Sequence, residues 1–378
     1  MIEAHARKNA AAEPRDWGAD VKRILCIRLD NLGDVLMTTP AIHALRKAQP
    51  DRYITLLASR SGMAVARFID DIDQVIEYHA PWVKQPGPAD PVKDLAMRER
   101  LAQGQFDAAV IFTVYSQNPL PAAMLCHLTG IPLRLAHCRE NPYGLLTDWV
   151  QETEPQQGTR HEVERQLALV AQVGARAADL HMRFTVPDDD AVSLAQKLQA
   201  HGADFDAPYI VVHPGATAAS RRWPAERFAQ FIRRIGADMK WPVLVTGSQD
   251  ESALVREVCD SNLYAVDMAG ALELGELAML IQRAQVLVSN NSGPVHLASA
   301  LNTPVVDLYA LTNPQHMPWL TPHRVLYQDV PCRWCYRSVC PEGHHACLTG
   351  VTVDDAVSAA TALIEAKHPP LQLLIQPC

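Results

Sequence analysis

The stretch VLVSNNSGPVHLASALNTPVVDL, residues 286–308, decides the fold of this chain. A short apolar run leads into a polar turn that contains Gly293 and Pro294, and an apolar helical segment follows over 295–301. A second β-branched run then closes the stretch at Leu308. Strand, turn, helix and strand in this order are typical of a parallel sheet covered by helices. The N-terminal amides of such a helix attract phosphate groups.

The same alternation continues through both halves of the chain. The predicted strands are Arg23–Leu29, Tyr53–Ala58, Gln74–Tyr78, Asp107–Val114, Arg134–His137, Tyr209–His213, Val243–Thr246, Val286–Ser289 and Val305–Leu308. The predicted helices are Ala41–Ala48, Leu95–Gln103, Val163–Val173, Ala191–Ala200, Phe228–Ala237, Leu277–Arg283 and Val295–Leu301. The pattern breaks around Val186-Pro-Asp-Asp-Asp190, so the sequence predicts two successive doubly wound α/β domains.

Composition excludes several classes of protein. Hydrophobic residues make up 48% of the 378 residues, which argues against a disordered chain. The net charge of −8 argues against a nucleic-acid-binding protein, because such a protein needs an excess of Lys and Arg. No apolar run is long enough to span a membrane, and Met1–Asp20 lacks the apolar core of a secretory signal. We therefore expect a disordered tail over 1–20 and a cytoplasmic location.

Ligands of doubly wound folds bind beyond the carboxyl ends of the strands, which directs attention to the loops there. The first such loop contains Asp30 and Asp34 at the start of a helical segment. Asp34 is suited to accept a proton from an alcohol. The alternative is that Asp34 or Asp30 only complements a helix N-terminus.

Two further loops suit phosphate. The strand that ends at His213 is followed by small residues together with Thr217 and Arg221, a pattern that suits phosphate binding. An ordinary surface loop with solvated arginines explains the pattern equally well. The third loop carries Ser292 at a helix start and His296 one turn later. His296 is either a phosphate contact or a structural histidine.

Taken together, the three loops resemble the bacterial heptosyltransferase family, glycosyltransferase family 9. The resemblance spans about residues 22–365 and rests on three blocks in order. These blocks are Ile24–Pro50 (ILCIRLDNLGDVLMTTPAIHALRKAQP), Val212–Ile232 (VHPGATAASRRWPAERFAQFI) and Val288–Leu308 (VSNNSGPVHLASALNTPVVDL).

The resemblance implies a GT-B architecture, in which two Rossmann-like domains face a cleft. We accordingly expect a tail over 1–20, an acceptor-side domain over 21–186, a donor domain over 187–352, and a C-terminal helix and tail over 353–378. It implies an inverting, metal-independent transfer with no required cofactor, usually of heptose from ADP-heptose to lipopolysaccharide core. The expected partners are an ADP-sugar donor and a glycan or lipid-linked acceptor, with peripheral contact at the inner membrane face for a lipid-linked acceptor and with no nucleic acid.

The resemblance also assigns roles to single residues. Asp34 matches the catalytic general base, and Thr38 and Thr39 fall on the acceptor side of the same block. The matched donor-binding and phosphate-binding residues are Thr217, Arg221, Gln249, Asn291, Ser292, Gly293 and His296. Gln249 stands beside Asp250 and Glu251, either of which could instead be the acidic ribose contact. Asn291 departs from the family, which usually has Asp there, and the change removes a charge near the donor.

Four cysteines lie close together near the C-terminus. Cys332, Cys335, Cys340 and Cys347 have the spacing C-x2-C-x4-C-x6-C, which suits one structural zinc or iron ion. The alternative is a cysteine-rich loop, over 332–347, that stays reduced.

Two other functions compete with the transferase. One is another GT-B enzyme, such as a sugar-nucleotide epimerase, which needs further acid–base groups. The other is a catalytically silent protein that binds sugar nucleotides or assists assembly.

Overall fold

The computed structural model describes residues 15–83 and 89–367. Contacts between Cα atoms divide the chain into two compact units, which meet in the sequence between Arg183 and Phe184. The sequence places this boundary at residue 186. We call the two parts unit 1 and unit 2.

Unit 1 is one six-stranded sheet with helices between its strands. Its strands are β1 (Arg23–Arg28), β2 (Tyr53–Ala58), β3 (Gln74–Glu77), β4 (Ala108–Ile111), β5 (Leu133–Cys138) and β6 (Asp148–Gln151). Its helices are α1 (Leu32–Ala48), α2 (Arg60–Ala66), α3 (Pro91–Gln103), α4 (Leu120–Leu128) and α5 (Glu162–Ala171).

Unit 2 repeats this plan. Its strands are β7 (Ile210–His213), β8 (Val243–Val245), β9 (Ala265–Asp267), β10 (Leu287–Asn290), β11 (Val305–Leu308) and β12 (His323–Leu326). Its helices are α6 (Asp189–Ala200), α7 (Ala225–Met239), α8 (Ser252–Cys259), α9 (Leu274–Arg283), α10 (Gly293–Ala300), α11 (Ala346–Thr349) and α12 (Val353–Lys367).

The two sheets share one topology. Unit 1 has the strand order β3-β2-β1-β4-β5-β6, and unit 2 has β12-β11-β10-β7-β8-β9. When the strands of unit 2 are numbered one to six along the chain and the sheet is read from β9, its order is also 3-2-1-4-5-6. Every strand pair is parallel. The strand order reverses between β1 and β4 in unit 1 and between β7 and β10 in unit 2. Ligands bind at such switch points, so the expected sites are the loops after these four strands.

Central strands are apolar because helices cover both faces of each sheet. Ile24, Leu25 and Cys26 of β1 are fully buried, as are all the apolar residues of β7 and β11. In unit 2 the core continues through the buried face of α7 to Leu363 and Ile364 of α12. The predicted C-terminal helix therefore packs into the core of unit 2. Residues 368–378 of the predicted tail lie outside the described residues.

Helix α1 begins at Leu32, nine positions before the predicted start at Ala41, and it contains Pro40. A proline inside a helix removes one backbone hydrogen bond, here the one to the carbonyl of Leu36. The Thr39 hydroxyl donates to that carbonyl at 2.7 Å. A side chain thus replaces the missing bond, and the helix runs through the proline.

Part of the predicted disordered tail belongs to the folded protein. Trp17 exposes only 3% of its surface, and its amide donates to the carbonyl of Val173 at 3.3 Å. The amide of Arg15 likewise donates to Gln172. Residues 15–20 are therefore part of unit 1, and residues 1–14 lie outside the described residues.

Candidate active-site residues

Asp34 lies in the first turn of α1, immediately after the central strand β1. Its Oδ2 accepts a hydrogen bond from the amide of Asn31 at 3.0 Å, and its Oδ1 accepts one from Nη2 of Arg28 at 3.1 Å. The side chain remains 17% exposed. Asp34 therefore does complement the helix N-terminus, while one face of its carboxylate stays within reach of solvent.

Arg28 connects three carboxylates beneath this turn. Its side chain is fully buried and pairs with Glu162 of α5 at 2.7 Å, with Asp30 at 2.9 Å and with Asp34. Burial alone lowers the pKa of Arg28, but the three carboxylates outweigh it and raise that pKa above its usual value. Arg28 therefore stays charged and holds Asp30 and Asp34 side by side at the end of β1.

Asp30 is the second carboxylate at this end of the strand. Burial and the nearby charge of Asp34 raise its pKa to about 6, although Arg28 and a hydrogen bond from Gln117 at 2.5 Å oppose the shift. Asp30 therefore gains a proton in a mildly acidic range, whereas an ordinary aspartate titrates near pH 4.

A cavity of about 740 Å³ opens beside Asp30, and Asp34 is not part of its lining. Asp30 and Asn31 line it after β1, and the loops after β2, β3 and β4 supply the other walls. Its lining combines Trp82 with hydroxyl and amide side chains such as Gln117. An aromatic face surrounded by such polar groups suits a saccharide, which stacks through its C–H faces and hydrogen-bonds through its hydroxyls.

Thr38 and Thr39 do not reach this cavity. Both are fully buried in α1. The hydroxyl of Thr38 donates to the carbonyl of Asp34 at 2.8 Å, and Thr39 accepts from the amide of Arg183 at 2.8 Å. Both hydroxyls stabilise the helix that carries Asp34, and the acceptor-side role of the two residues stays a prediction.

In unit 2 the two predicted phosphate loops are joined by Asn290, which the sequence analysis missed. Asn290 ends β10 and is fully buried. Its Oδ1 accepts from the amide of Trp223 at 3.0 Å, and its Nδ2 donates to the carbonyl of Pro214 at 2.7 Å. The loop after β7 is thereby fixed against the start of α10.

The predicted residues of these two loops differ in exposure. Thr217 is exposed, and Arg221, Ser292 and Gly293 are partly exposed, so all four are accessible to a ligand. His296 exposes only 6% of its surface, inside α10. The hydroxyl of Ser292 donates back to the carbonyl of Asn290 at 3.1 Å. The amides at the start of α10 and the Arg221 side chain stay the predicted phosphate-binding groups.

Gln249 and Glu251 occupy different places. Gln249 is exposed and its side chain lies over Gly270, where an added Cβ would approach its Oε1 to 2.2 Å. Glu251 instead lies against Gly215 of the loop after β7, and Oε2 of Glu251 is 4.0 Å from Nε2 of His213. Of the two residues, Glu251 is the one that contacts the predicted phosphate-binding loop after β7.

Asn291 and Asp307 form a buried pair at the ends of β10 and β11. Nδ2 of Asn291 donates to Oδ2 of Asp307 at 2.9 Å. Burial raises the pKa of Asp307 to about 8, although the bond from Asn291 and the charge of Arg221 lower it. Position 291 has Asn where the family usually has Asp, and the carboxyl group of Asp307 lies one hydrogen bond from that position.

We expect Asp307→Asn to stabilise the protein increasingly as the pH rises. Between about pH 4, where unfolded aspartate titrates, and about pH 8, the folded state holds a proton that the unfolded state has released. The free energy of unfolding therefore falls as the pH rises through this window, and the neutral variant escapes the loss. Thermal unfolding from about pH 5 to about pH 9 measures the effect. The exposed Asp260→Asn variant is the control, and equal pH profiles for Asp307→Asn and wild type would contradict the prediction.

The four clustered cysteines line one small cavity of about 20 Å³. All four are free thiols, and burial together with the neighbouring Cys340, Cys332 and Cys335 raises the pKa of Cys347. Within residues 15–83 and 89–367, no group of three or more His, Cys, Asp or Glu is arranged to hold a metal ion. The predicted zinc or iron site is therefore not supported.

The cysteine-rich loop nevertheless contacts the phosphate loop. Its His345 ring lies 2.8 Å from the carbonyl of Ser220, and the amide of Ser220 donates to the carbonyl of Ser338 at 3.1 Å. The loop thus supports the turn that precedes Arg221.

Comparison with known proteins identifies the family. The family model of glycosyltransferase family 9 (heptosyltransferase) matches residues 95–346, about two thirds of the chain. The chain belongs to glycosyltransferase family 9. It is therefore a glycosyltransferase, and the predicted family and two-domain GT-B fold are confirmed.

Several relatives match this chain over nearly its whole length. Lipopolysaccharide heptosyltransferase 2 of Escherichia coli is 24% identical over 90% of this chain and 98% of its own length. A family-9 glycosyltransferase structure from Veillonella parvula has a TM-score of 0.76 and 22% identity, covering 94% of this chain and 100% of that one. An E. coli heptosyltransferase solved with ADP has a TM-score of 0.63 and 17% identity, covering 91% and 98%.

Of the helices in the described ranges, none is both long and apolar enough to cross a bilayer.

Proposed function

We propose that this glycosyltransferase moves a heptose from ADP-heptose to a hydroxyl of a lipopolysaccharide-core glycan, with inversion and without a metal ion. The observation that carries the proposal is Asp34, held at the switch point of unit 1 on the same turn as Asp30 and Asn31, which line a cavity that suits a saccharide. The E. coli relative is named a lipopolysaccharide heptosyltransferase, and another E. coli heptosyltransferase has been solved with ADP. Both names favour an ADP-linked heptose as the donor.

The proposed reaction is a single displacement at the anomeric carbon. Asp34 accepts the proton of the acceptor hydroxyl as that oxygen bonds to the anomeric carbon. The bond from that carbon to the diphosphate oxygen breaks, and ADP leaves with the bonding electron pair. Attack opposite the leaving group inverts the anomeric centre.

The leaving diphosphate needs positive groups. Arg221 supplies a guanidinium that can contact two phosphate oxygens, and the amides at the start of α10 supply the positive end of a helix dipole. A guanidinium and helix N-terminal amides can stabilise the negative charge that develops on the leaving diphosphate, which is why we propose a metal-independent transfer.

The cavity in unit 1 is the proposed acceptor site. Trp82 and the polar loop after β4 line it, and Asp30 and Asn31 join it to the turn that carries Asp34. A lipid-linked core glycan would bring the enzyme to the inner membrane face, and we propose peripheral contact and a cytoplasmic location on that basis.

Selective thermal stabilisation by one nucleotide tests the donor site. We expect ADP-sugars to raise the unfolding temperature more than UDP-, GDP- or dTDP-sugars do. A ligand that binds only the folded state at about 100 times its Kd adds about 2.7 kcal/mol. Arg221→Ala should remove most of this effect because it deletes the guanidinium beside the phosphates.

Arg233→Ala is the matched control, since it deletes an exposed arginine of α7 in the same unit. It should respond to ADP-sugar as the wild type does. No stabilisation by any nucleotide sugar at saturating concentration would contradict the donor site.

A further inference from the structure

The orientation of the Asn291 side chain is fixed by its surroundings. Nδ2 of Asn291 donates to Oδ2 of Asp307 at 2.9 Å and to the backbone carbonyl of His316 at 3.2 Å. Turning the amide over would place Oδ1 against two oxygen acceptors, which cannot both donate to it. The backbone of Asn291 is fixed as well, because its amide donates to the carbonyl of Leu308 at 3.1 Å.

Both amide hydrogens of Asn291 therefore point into the protein. Although Asn291 exposes only 1% of its surface, its Oδ1 is not among the fully buried polar atoms without a partner, so Oδ1 is the polar atom that remains for a ligand. Oδ1 can only accept a hydrogen bond. The oxygens of an ionised diphosphate carry no hydrogen to donate, so Oδ1 cannot bind them. Its partner on a nucleotide sugar must be a hydroxyl or an N–H group.

Asp307 is an unusual residue for its position. It interrupts the apolar strand β11 and is fully buried between Val306 and Leu308. Burying a carboxyl costs free energy unless it is well paired, and packing alone favours an apolar side chain here. Its Oδ2 meets Asn291, whereas its buried Oδ1 has no hydrogen-bond partner among the described residues. Its hydrogen bond with Asn291 and the nearby charge of Arg221 are thus the interactions that an apolar residue could not make.

We propose that Asp307 is a positioning residue of the donor site, which holds Asn291 so that its Oδ1 accepts a hydrogen bond from a hydroxyl of the nucleotide sugar. The pair then presents an acceptor atom, as an aspartate at position 291 would, without placing a full charge beside the diphosphate. This inference rests on the proposed function, because it takes the loop after β10 as part of the donor site.

Donor binding by four variants tests the proposal. Asp307→Ala removes the acceptor for Nδ2 and should weaken ADP-heptose binding roughly tenfold, the scale of one hydrogen bond in a buried site. Asp307→Asn keeps an oxygen that can accept from Asn291, so it should recover most of that affinity. In the swap Asn291→Asp with Asp307→Asn, the bond to residue 307 is reversed, but an oxygen of residue 291 then faces the carbonyl of His316, so affinity should be recovered only in part. In an Asn291→Ala background, Asp307→Ala should add no further loss.

Inorganic pyrophosphate separates a hydroxyl contact from a phosphate contact. Titration calorimetry with ADP-heptose and with pyrophosphate should show a loss for Asp307→Ala with the first and none with the second. An equal loss for both ligands, or a full further loss in the Asn291→Ala background, would overturn the proposal. Wild-type affinity for ADP-heptose in Asp307→Ala would overturn it while leaving the proposed function standing. Absence of ADP-heptose binding by the wild type would instead refute the proposed function, and this inference with it.

Discussion

Asp34→Asn should lower kcat by about 10³-fold while ADP-heptose binds with nearly wild-type affinity. The amide cannot take the proton of the acceptor hydroxyl, so the displacement loses its base. The substitution keeps an oxygen that can accept from the amide of Asn31, which Asp34 now binds at 3.0 Å. Arg28 retains Glu162 and Asp30 as partners, so the turn should remain folded. Steady-state release of ADP measures kcat, and calorimetry measures donor affinity.

Asp30→Asn is the matched control for this experiment. It removes a carboxylate from the same guanidinium and leaves Asp34 in place. Its kcat should fall far less than that of Asp34→Asn. The opposite ranking would move the base from Asp34 to Asp30. A wild type that binds the donor but transfers no sugar to any tested glycan would favour the silent sugar-nucleotide-binding protein.

Glu162→Ala should strongly destabilise unit 1 although it spares the apolar core. Glu162 and Arg28 are both fully buried and lie 2.7 Å apart, and the same carboxylate oxygen of Glu162 accepts from Gln166. Removing Glu162 takes away the fully buried partner of Arg28 and leaves only the partly exposed Asp30 and Asp34, at a cost of about 3 kcal/mol. Urea unfolding measures the loss of free energy.

Two variants separate the buried pair from a general effect on α5. Glu162→Gln keeps an oxygen for Arg28 and should lose clearly less stability than Glu162→Ala. Glu164→Ala removes an exposed glutamate of the same helical turn and should cost less than about 1 kcal/mol. Equal losses for Glu162→Ala and Glu164→Ala would contradict the importance of the buried pair.

The central strands could be predicted from the sequence because they are buried on both faces and therefore read as continuous apolar runs. The strands that were missed, β6, β9 and β12, each lie at the edge of a sheet. Edge strands are covered incompletely, and residues such as Gln151 and Arg324 are exposed in them. Their sequences consequently lack the apolar run by which a strand is recognised.

The loops of the candidate sites were also predictable, because they follow central strands and contain small or polar residues. Their partners were not. Arg28 and Glu162 are 134 positions apart, and the contact between Asn291 and Asp307 joins two strands. The available signal was a charged residue inside an apolar strand, at Arg28 and at Asp307. The predicted helix Ala41–Ala48 covered only the part of α1 after Pro40, although the helix runs through Pro40 because the Thr39 hydroxyl replaces the missing hydrogen bond.

The repeated strand order has a consequence for how such enzymes diversify. Each unit contains a complete six-stranded sheet, so no strand pairing crosses from one unit to the other. Each unit also has its own candidate ligand loops, at the point where its strand order reverses. A recombination that exchanges everything after Arg183 for the second half of another family member leaves both ladders whole. If unit 1 binds the acceptor and unit 2 the donor, as we propose, then donor and acceptor specificity can be inherited separately, and a lineage can acquire a new combination in one genetic event.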